Sequence, residues 1–301
     1  MLNPDPVFQI PDKGLHFLSL GGIGEIGANC YLYGSDNKWI MIDLGLTFAD
    51  DQYPGIDLLL PKVDFLDQIK DNLEAVIISH GHEDHAGALA FFIDKIHCPI
   101  YATGFASSLI KRRLKEFGKL NSVNINIIDI NKSLKFKNFK LQFISTTHSI
   151  PEPYSIVITT KYGKLLHTAD WKIDNNPQIG DSFDKQPFED LGNEGLLALI
   201  GDSTNADLIG YSKSESEVRE ELIKIFSRYD KRIVATCFSS NIARIESIAK
   251  AAQENNRKVV LIGRSMKRTI EAAIENGYLT DIKNFISDDR ITLILPLKSI
   301  T

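Results

Sequence analysis

Residues 79–89 read "SHGHEDHAGAL", with three histidines and two acids between positions 80 and 85. The run just before it, "LEAVII", has strand length and apolar character, while "HAGALAFFIDKI" spaces its apolar residues as a helix does. A strand ending at His80 and a helix beginning near His85 are therefore predicted. Such a turn gathers side chains from different directions: His80 and His82 alternate past Gly81, and Asp84 and His85 sit at the helix start. Imidazoles and carboxylates without a thiolate suit zinc or a neighbouring transition metal. A helix cap would account for Asp84 but not for three histidines.

One segment cannot complete two coordination shells, so further ligands are expected at other strand ends. His148 in "STTHSIPE" follows the apolar run "LQFIST", and Asp170 in "LLHTADWKID" follows "KLLH". Asp43, closing "WIMIDLG", reads either as a carboxylate orienting a ligand or as a turn former. His16, His97 and His167 are expected in packing or surface roles. Upstream, "GIGEIG" (22–27) matches G-x-G-x-x-G, but a strand pattern, "ANCYLYGS", follows it instead of the helix a dinucleotide needs. A glycine loop letting backbone approach the metal site is the preferred reading.

The 301 residues, 43% hydrophobic and 24% charged, suffice for about two globular domains. No window approaches the roughly 20 apolar residues of a membrane helix, and the N-terminus lacks a signal-peptide pattern, so no membrane association and a cytoplasmic location are expected. Cys30, Cys98 and Cys237 are too scattered for a disulfide framework and read as reduced core thiols. A net charge of −5 argues against a wholly basic nucleic-acid coat while permitting a local cationic groove.

Strand-length runs in the first half pair as hairpins across "GSDNK" and "KYGK". "SSLIKRRLKEFG" predicts a helix ending at Gly118, with Lys111, Arg112, Arg113 and Lys115 on a solvated face. "DNNPQIGDSFDKQPFEDLGNEG" is expected as a long loop. From about residue 195, "LLALIGDS", "RIVATCF" and "KVVLIG" alternate with helices as a parallel sheet requires. Ser214 and Glu217 form a capping box ahead of Val218, Leu222, Ile225 and Phe226.

H-x-H-x-D-H at His80, His82, Asp84 and His85, followed by His148 and Asp170, resembles the metallo-β-lactamase superfamily over most of residues 14–205. "GEIGANCYLY", "HSIPE", "HTADWKID", "GDSTNA", "CFSSNIARIESI" and "LIGRSM" together resemble the bacterial ribonuclease J family, in which an inserted β-CASP domain clamps RNA. The resemblance implies an α/β fold: a metallo-β-lactamase αββα sandwich over 1–205 and a partial β-CASP domain with parallel β/α units over 206–301. It implies that His80, His82 and His148 hold one Zn2+ and Asp84 and His85 part of a second, that Asp170 bridges them, and that Asp84, His148 and Asp170 form the catalytic set; Mn2+ is an alternative metal. Asp202 would match the acidic motif opening the β-CASP segment and stand behind the ligands, as Asp43 would. "TADWKID" and "CFSSN" vary from the commoner "TGDFKID" and "CFASN". No "H-x-S-G-H" segment occurs, and "LILPLKSIT" does not match the family's continuation, so a truncated sequence with one metal position incomplete is expected.

Ser239, Ser240 and Asn241 in "FSSN", and Arg264 and Ser265 in "GRSM", each follow a strand and precede a helix, where hydroxyls and N–H groups can receive phosphate. Ordinary N-caps would serve equally for the serines. Arg244 is either a phosphate contact or a solvated helix residue. The resemblance implies metal-dependent hydrolysis of single-stranded RNA from a 5′-monophosphate end and internally, by a homodimer or tetramer. A small-molecule hydrolase of thioesters or lactones, or an inactive RNA-binding fragment, are the competing readings. No serine nucleophile elbow is present.

Overall fold

The computed structural model describes residues 10–283 and 285–286; the "LILPLKSIT" segment lies outside the described residues. Strands β1 (Leu15–Gly21), β2 (Cys30–Ser35) and β3 (Lys38–Ile42) form an antiparallel meander. Asp36 and Asn37, at φ 45° and 58°, make the tight β2–β3 turn, as predicted from "GSDNK". A small hairpin of β4 (Thr47–Phe48) and β5 (Leu58–Leu59) and helix α1 (Leu66–Ile69) lead to β6 (Leu73–Ile77), which runs parallel to β3. Next come α2 (Glu83–Ala86), α3 (Leu89–Phe92), β7 (Ile100–Ala102), α4 (Gly104–Glu116) and β8 (Ile125–Ile127), completing a sheet ordered β1-β2-β3-β6-β7-β8.

The second sheet contains β9 (Leu134–Lys135), β10 (Lys140–Ser145), β11 (Tyr154–Thr160) and β12 (Gly163–His167), then α5 (Gln186–Glu194) and β13 (Ala198–Ile200), ordered β13-β12-β11-β10-β9. Strand alternation explains the layering. Trp39 and Met41 of β3 pack on the helix side with Leu89, Ala106 and Leu114, whereas Ile40 and Ile42 face Leu141, Ile156 and Ile158 of the other sheet. On the far side of that sheet, Val157 and Leu166 meet Leu191 of α5. Helix, sheet, sheet and helix thus stack as the expected αββα sandwich, with both sheets buried between helical layers.

Two expectations change here. "LLALI" does not open the later β/α run: Ala198–Ile200 pairs parallel with Leu165–His167 at the edge of the second sheet. The polar stretch before it is not all loop, since Pro187 near the start of α5 and Leu191 on its buried face build a short helix.

The later segment carries α6 (Glu215–Phe226), α7 (Ile242–Glu254), β14 (Val259–Val260), α8 (Arg264–Glu275) and β15 (Phe285–Ile286), with β14 and β15 parallel. The capping box of Ser214 and Glu217 forms, and Ser214 Oγ also donates to buried Asp174, fastening α6 to the loop after β12. Phe226 and Leu222 turn inward, but Ile225 is exposed. "RIVATCF" forms no strand among the described residues; Val234 and Phe238 face solvent there. An apolar cluster of Phe105, Ile150, Ile242, Ile245 and Ile270 seals this segment onto the sandwich. Arg112, expected on a solvated face, instead pairs with Glu275 of α8 at 2.7 Å. The three cysteines are free, with Cys30 fully buried.

Candidate metal centre

The strand run "LEAVI" ends at Ile77, and buried Ile78 and Ser79 carry the chain to His80 at the sheet's C-terminal edge. His82 keeps extended backbone (φ −69°, ψ 153°) and α2 then starts, so His85 points back toward the same edge. His148 lies three residues beyond β10, and Asp170 three beyond β12 after a positive-φ Ala169. Open α/β architectures gather function at such strand ends. Backbone bonds pin the histidine loop: Leu44 N–H donates to the His85 carbonyl and Leu46 N–H to that of Glu83. Between them Gly45 approaches so closely that a Cβ would lie 1.6 Å from the Asp84 carbonyl oxygen.

Two groups of donor atoms converge here: His80, His82, His148 and Asp170 in one, and Asp84, His85 and Asp170 in the other, each within 4.8 Å of one another. His82 Nδ1 stands 3.0 Å from His80 Nε2 and 3.1 Å from His148 Nε2. Nitrogens about 2.05 Å from a tetrahedral zinc would be separated by roughly 3.3 Å, close to these edges. Asp170 touches both groups, with Oδ1 3.2 Å from His85 Nε2 and Oδ2 3.7 Å from His148 Nε2.

The outer hydrogen bonds aim the ring lone pairs inward. Asp43 is fully buried and accepts from Ser79 N at 2.7 Å, from Ser79 Oγ at 2.8 Å and from His85 Nδ1 at 2.7 Å. With its proton given to Asp43, Ser79 Oγ accepts from His80 Nδ1 at 3.0 Å. Both imidazoles thereby give Nδ1 to an outer partner and turn Nε2 toward the site. The outer edge of His82 faces the Ser240 carbonyl and, at 3.4 Å, Ser149 Oγ. The convergence of His80 Nε2, His82 Nδ1 and His148 Nε2 fits a divalent cation.

Electrostatics separate the two groups. Burial, reinforced by the neighbouring imidazoles, holds His80 and His82 well below the ordinary histidine range, and burial also lowers His148. For His85, burial opposes the cation, but the carboxylates of Asp43, Asp170 and Asp84 outweigh it and hold its pKa well above the usual value. Burial likewise works against ionised Asp170, yet His85 and His148 keep its carboxyl well below the usual range. Asp84 is pushed up, chiefly by burial. In the metal-free protein, the raised His85 stabilises the fold fully below its unfolded pKa of about 6.5, and this contribution is lost as pH rises through the folded value. Were a metal to bind at Asp84, His85 and Asp170, it would displace the His85 proton. Calorimetry of metal binding in buffers of different ionisation enthalpy is expected to detect that released proton near neutral pH, and affinity for this group should rise with pH.

A cleft of about 920 Å³ opens from His82 and Asp84 toward the later segment and is lined by Ser239, Ser240, Asn241, Arg264 and Ser265, with Arg113 and Arg268. The cap of α7 is Asn241, whose Oδ1 accepts from Arg244 N at 2.8 Å; Ser239 and Ser265 share a hydroxyl bond at 3.0 Å. Arg244 is held by Glu215 through two bonds, and Arg268 reaches Glu116 and Glu83, so neither guanidinium is wholly free. Asp202 caps its own loop, accepting from Thr204 N, and borders a separate cavity shared with Asp84, His85 and Asp170. His167 is buried with Nδ1 2.9 Å from the Tyr33 hydroxyl, a packing role as expected.

Asn29 was not anticipated: its Nδ2 lies 3.3 Å from Asp84 Oδ2 and 3.1 Å from His85 Nε2. Its signal is the "GIGEIG" loop that precedes it, whose Gly22, Gly24 and Gly27 all have positive φ and border the Asp84 side of the site. A strand follows that loop, not a helix, which removes the dinucleotide reading.

Residues 23–204 match the family model described as the metallo-beta-lactamase superfamily. The chain belongs to the metallo-β-lactamase superfamily. Residues 230–299 match a second model, the ribonuclease J beta-CASP domain. Among curated relatives, Ribonuclease J of Sinorhizobium meliloti is 42% identical over 94% of this chain and 51% of its own length. Ribonuclease J 1 of Streptococcus pyogenes is 40% identical over 87% of the chain and 46% of the relative, and Ribonuclease J of Synechocystis 34% over 95% and 44%. The chain thus spans about half the length of the curated relatives it matches. A crystal structure of a protein of unknown function from Enterococcus faecalis V583 shares the fold at a TM-score of 0.61 and 15% identity, covering 91% of this chain and 74% of that one.

Proposed function

We propose that this superfamily member acts as a metal-dependent ribonuclease of the ribonuclease J type, with residues 1–205 supplying the metal centre and 206–301 one wall of the RNA channel. The observation that carries the reading is the opening of the His/Asp cluster directly into a cleft walled by Arg264, Ser239, Ser240 and Ser265. A small-molecule hydrolase has no need of that second wall. His80, His82 and His148 would hold one divalent cation, Asp84 and His85 the other, and Asp170 both; zinc suits the donor set and manganese is an alternative. Such ions supply an activated water and neutralise charge on the phosphoryl oxygens.

The chain's own side chains do the rest. Asp43 and Ser79 hold the rings of His80 and His85 in the tautomers that face the ions. Arg264 is a donor for a substrate phosphate, and the hydroxyls of Ser239 and Ser265 stand beside it on the same wall. Single-stranded RNA with a 5′-monophosphate is the proposed substrate, cut from that end and internally. A homo-oligomer in the cytoplasm is proposed as the working form.

The test is turnover of labelled, 5′-monophosphorylated RNA with added zinc or manganese, with His80→Ala as control. Cleavage that needs metal and disappears in the variant supports the reading; equal cleavage by both proteins refutes it. Arg264→Ala is expected to raise KM and lower the salt dependence of RNA binding by about one phosphate contact.

A further inference from the structure

Asn29 directly precedes β2, and two backbone bonds hold it against the histidine turn. Its N–H donates to the Asp84 carbonyl at 2.9 Å, and its own carbonyl accepts from Gly45 N–H at 2.9 Å. Both bonds belong to the main chain and do not depend on the side chain.

The side chain is constrained as well. The Tyr31 hydroxyl donates to Asn29 Oδ1 at 2.8 Å, with the Gly22 carbonyl as a second acceptor at 3.1 Å. The other end of the amide, Nδ2, stands 3.3 Å from Asp84 Oδ2 and 3.1 Å from His85 Nε2. Turned the other way, the amide would set its oxygen against the Asp84 carboxylate, lone pair to lone pair. Tyr31 and Asp84 therefore favour the same orientation, and Asn29 brings a hydrogen-bond donor to the edge of the group formed by Asp84, His85 and Asp170.

Among the described residues no other non-histidine side chain donates to the Asp84 carboxylate. A third of the Asp84 side chain is exposed, and it borders a cavity of about 470 Å³. Without the amide its carboxylate is free to swing into that space. The other donor group takes its outer bonds elsewhere, through Ser79 at His80 and Ser149 at His82.

We propose that Asn29 is a positioning residue for the second cation: its amide fixes Asp84 Oδ2 beside His85 and Asp170, and Tyr31 fixes the amide. Asp43 steadies the same group from behind, through His85. The role rests on the reading of these side chains as metal donors and needs no assumption about the substrate.

Zinc binding to wild type, Asn29→Leu and Tyr31→Phe is followed by calorimetry, with His80→Ala marking which equivalent belongs to which group. Leucine keeps the branched shape of asparagine without its donor. Asn29→Leu is expected to bind the equivalent of the His80 group as wild type does and that of the Asp84 group about 10–100-fold more weakly. Tyr31→Phe keeps the ring that packs on His167 and releases the amide without removing it, so its loss should be smaller. Because Asp84 is partly exposed, water replaces the lost donor, and the thermal midpoint of metal-free Asn29→Leu should stay near wild type. RNA turnover gives a further readout: kcat of Asn29→Leu should fall at limiting metal and recover in excess metal, with KM for RNA unchanged.

Equal affinity of wild type and Asn29→Leu for the second equivalent overturns the proposal, as does equal weakening of both equivalents. A wild type that takes up no second equivalent overturns it together with the two-metal reading. Selective loss of the second equivalent in a protein that cleaves no RNA supports the positioning role and removes the ribonuclease reading.

Discussion

Asp170→Ala is expected to remove both metal equivalents at once and with them RNA cleavage. Its carboxylate lies against His85 on one side and His148 on the other, and it is the sole residue common to both donor groups among the described residues. Losing a group that orients a ligand from behind typically costs 10–100-fold in metal affinity or activity, so losing a donor shared by two ions should exceed roughly 100-fold. His80→Ala provides the comparison, because it belongs to one group only. Metal content by mass spectrometry after equilibrium dialysis separates the cases. The expected order is two equivalents for wild type, reduced uptake for His80→Ala and none for Asp170→Ala. An Asp170→Ala protein that retains both equivalents would overturn the bridging role.

The second large effect is expected at Asp43. This carboxylate never reaches the donor cluster, yet it is completely buried and accepts from Ser79 N, Ser79 Oγ and His85 Nδ1. Asp43→Ala leaves those donors unanswered beside a histidine whose charge Asp43 helps to sustain, a change that typically costs about 3–5 kcal/mol. Its φ of 61° adds strain for alanine, about 1 kcal/mol in a left-handed conformation that aspartate and asparagine tolerate better. Asp43→Asn should therefore recover part of the stability in a denaturant titration. It should still bind metal roughly 10–100-fold more weakly, because its amide cannot accept from all three donors and the His85 ring loses its anionic partner. If asparagine restored affinity as well as stability, the orienting role would fail and the position would be a turn former only.

Much of this centre is legible along the chain because its chemistry is local. His80, His82, Asp84 and His85 lie within one turn between a strand and a helix, and the apolar runs before His148 and Asp170 mark the strand ends that deliver them. Asp43 was legible as one of two alternatives, and its bonds to Ser79 and His85 support the orienting one, which the asparagine variant tests. The layer order was implied by the family resemblance, and alternation in "KWIMI" accounts for it locally, with Trp39 and Met41 on one face and Ile40 and Ile42 on the other.

The errors share a cause. "LLALI" has the same apolar character whether it opens a new parallel sheet or adds an edge strand to an old one, and the pairing with β12 settled that. Arg244 and Arg112 carry identical charge in water or against Glu215 and Glu275, which lie 29 and 163 positions away. Residue type and short-range spacing thus determined which atoms can bind metal and which backbone turns present them. Only the packed chain decided which ring nitrogens converge on one point and which arginines are already spent. Those outcomes depend on contacts between distant segments, whose energies no local window contains.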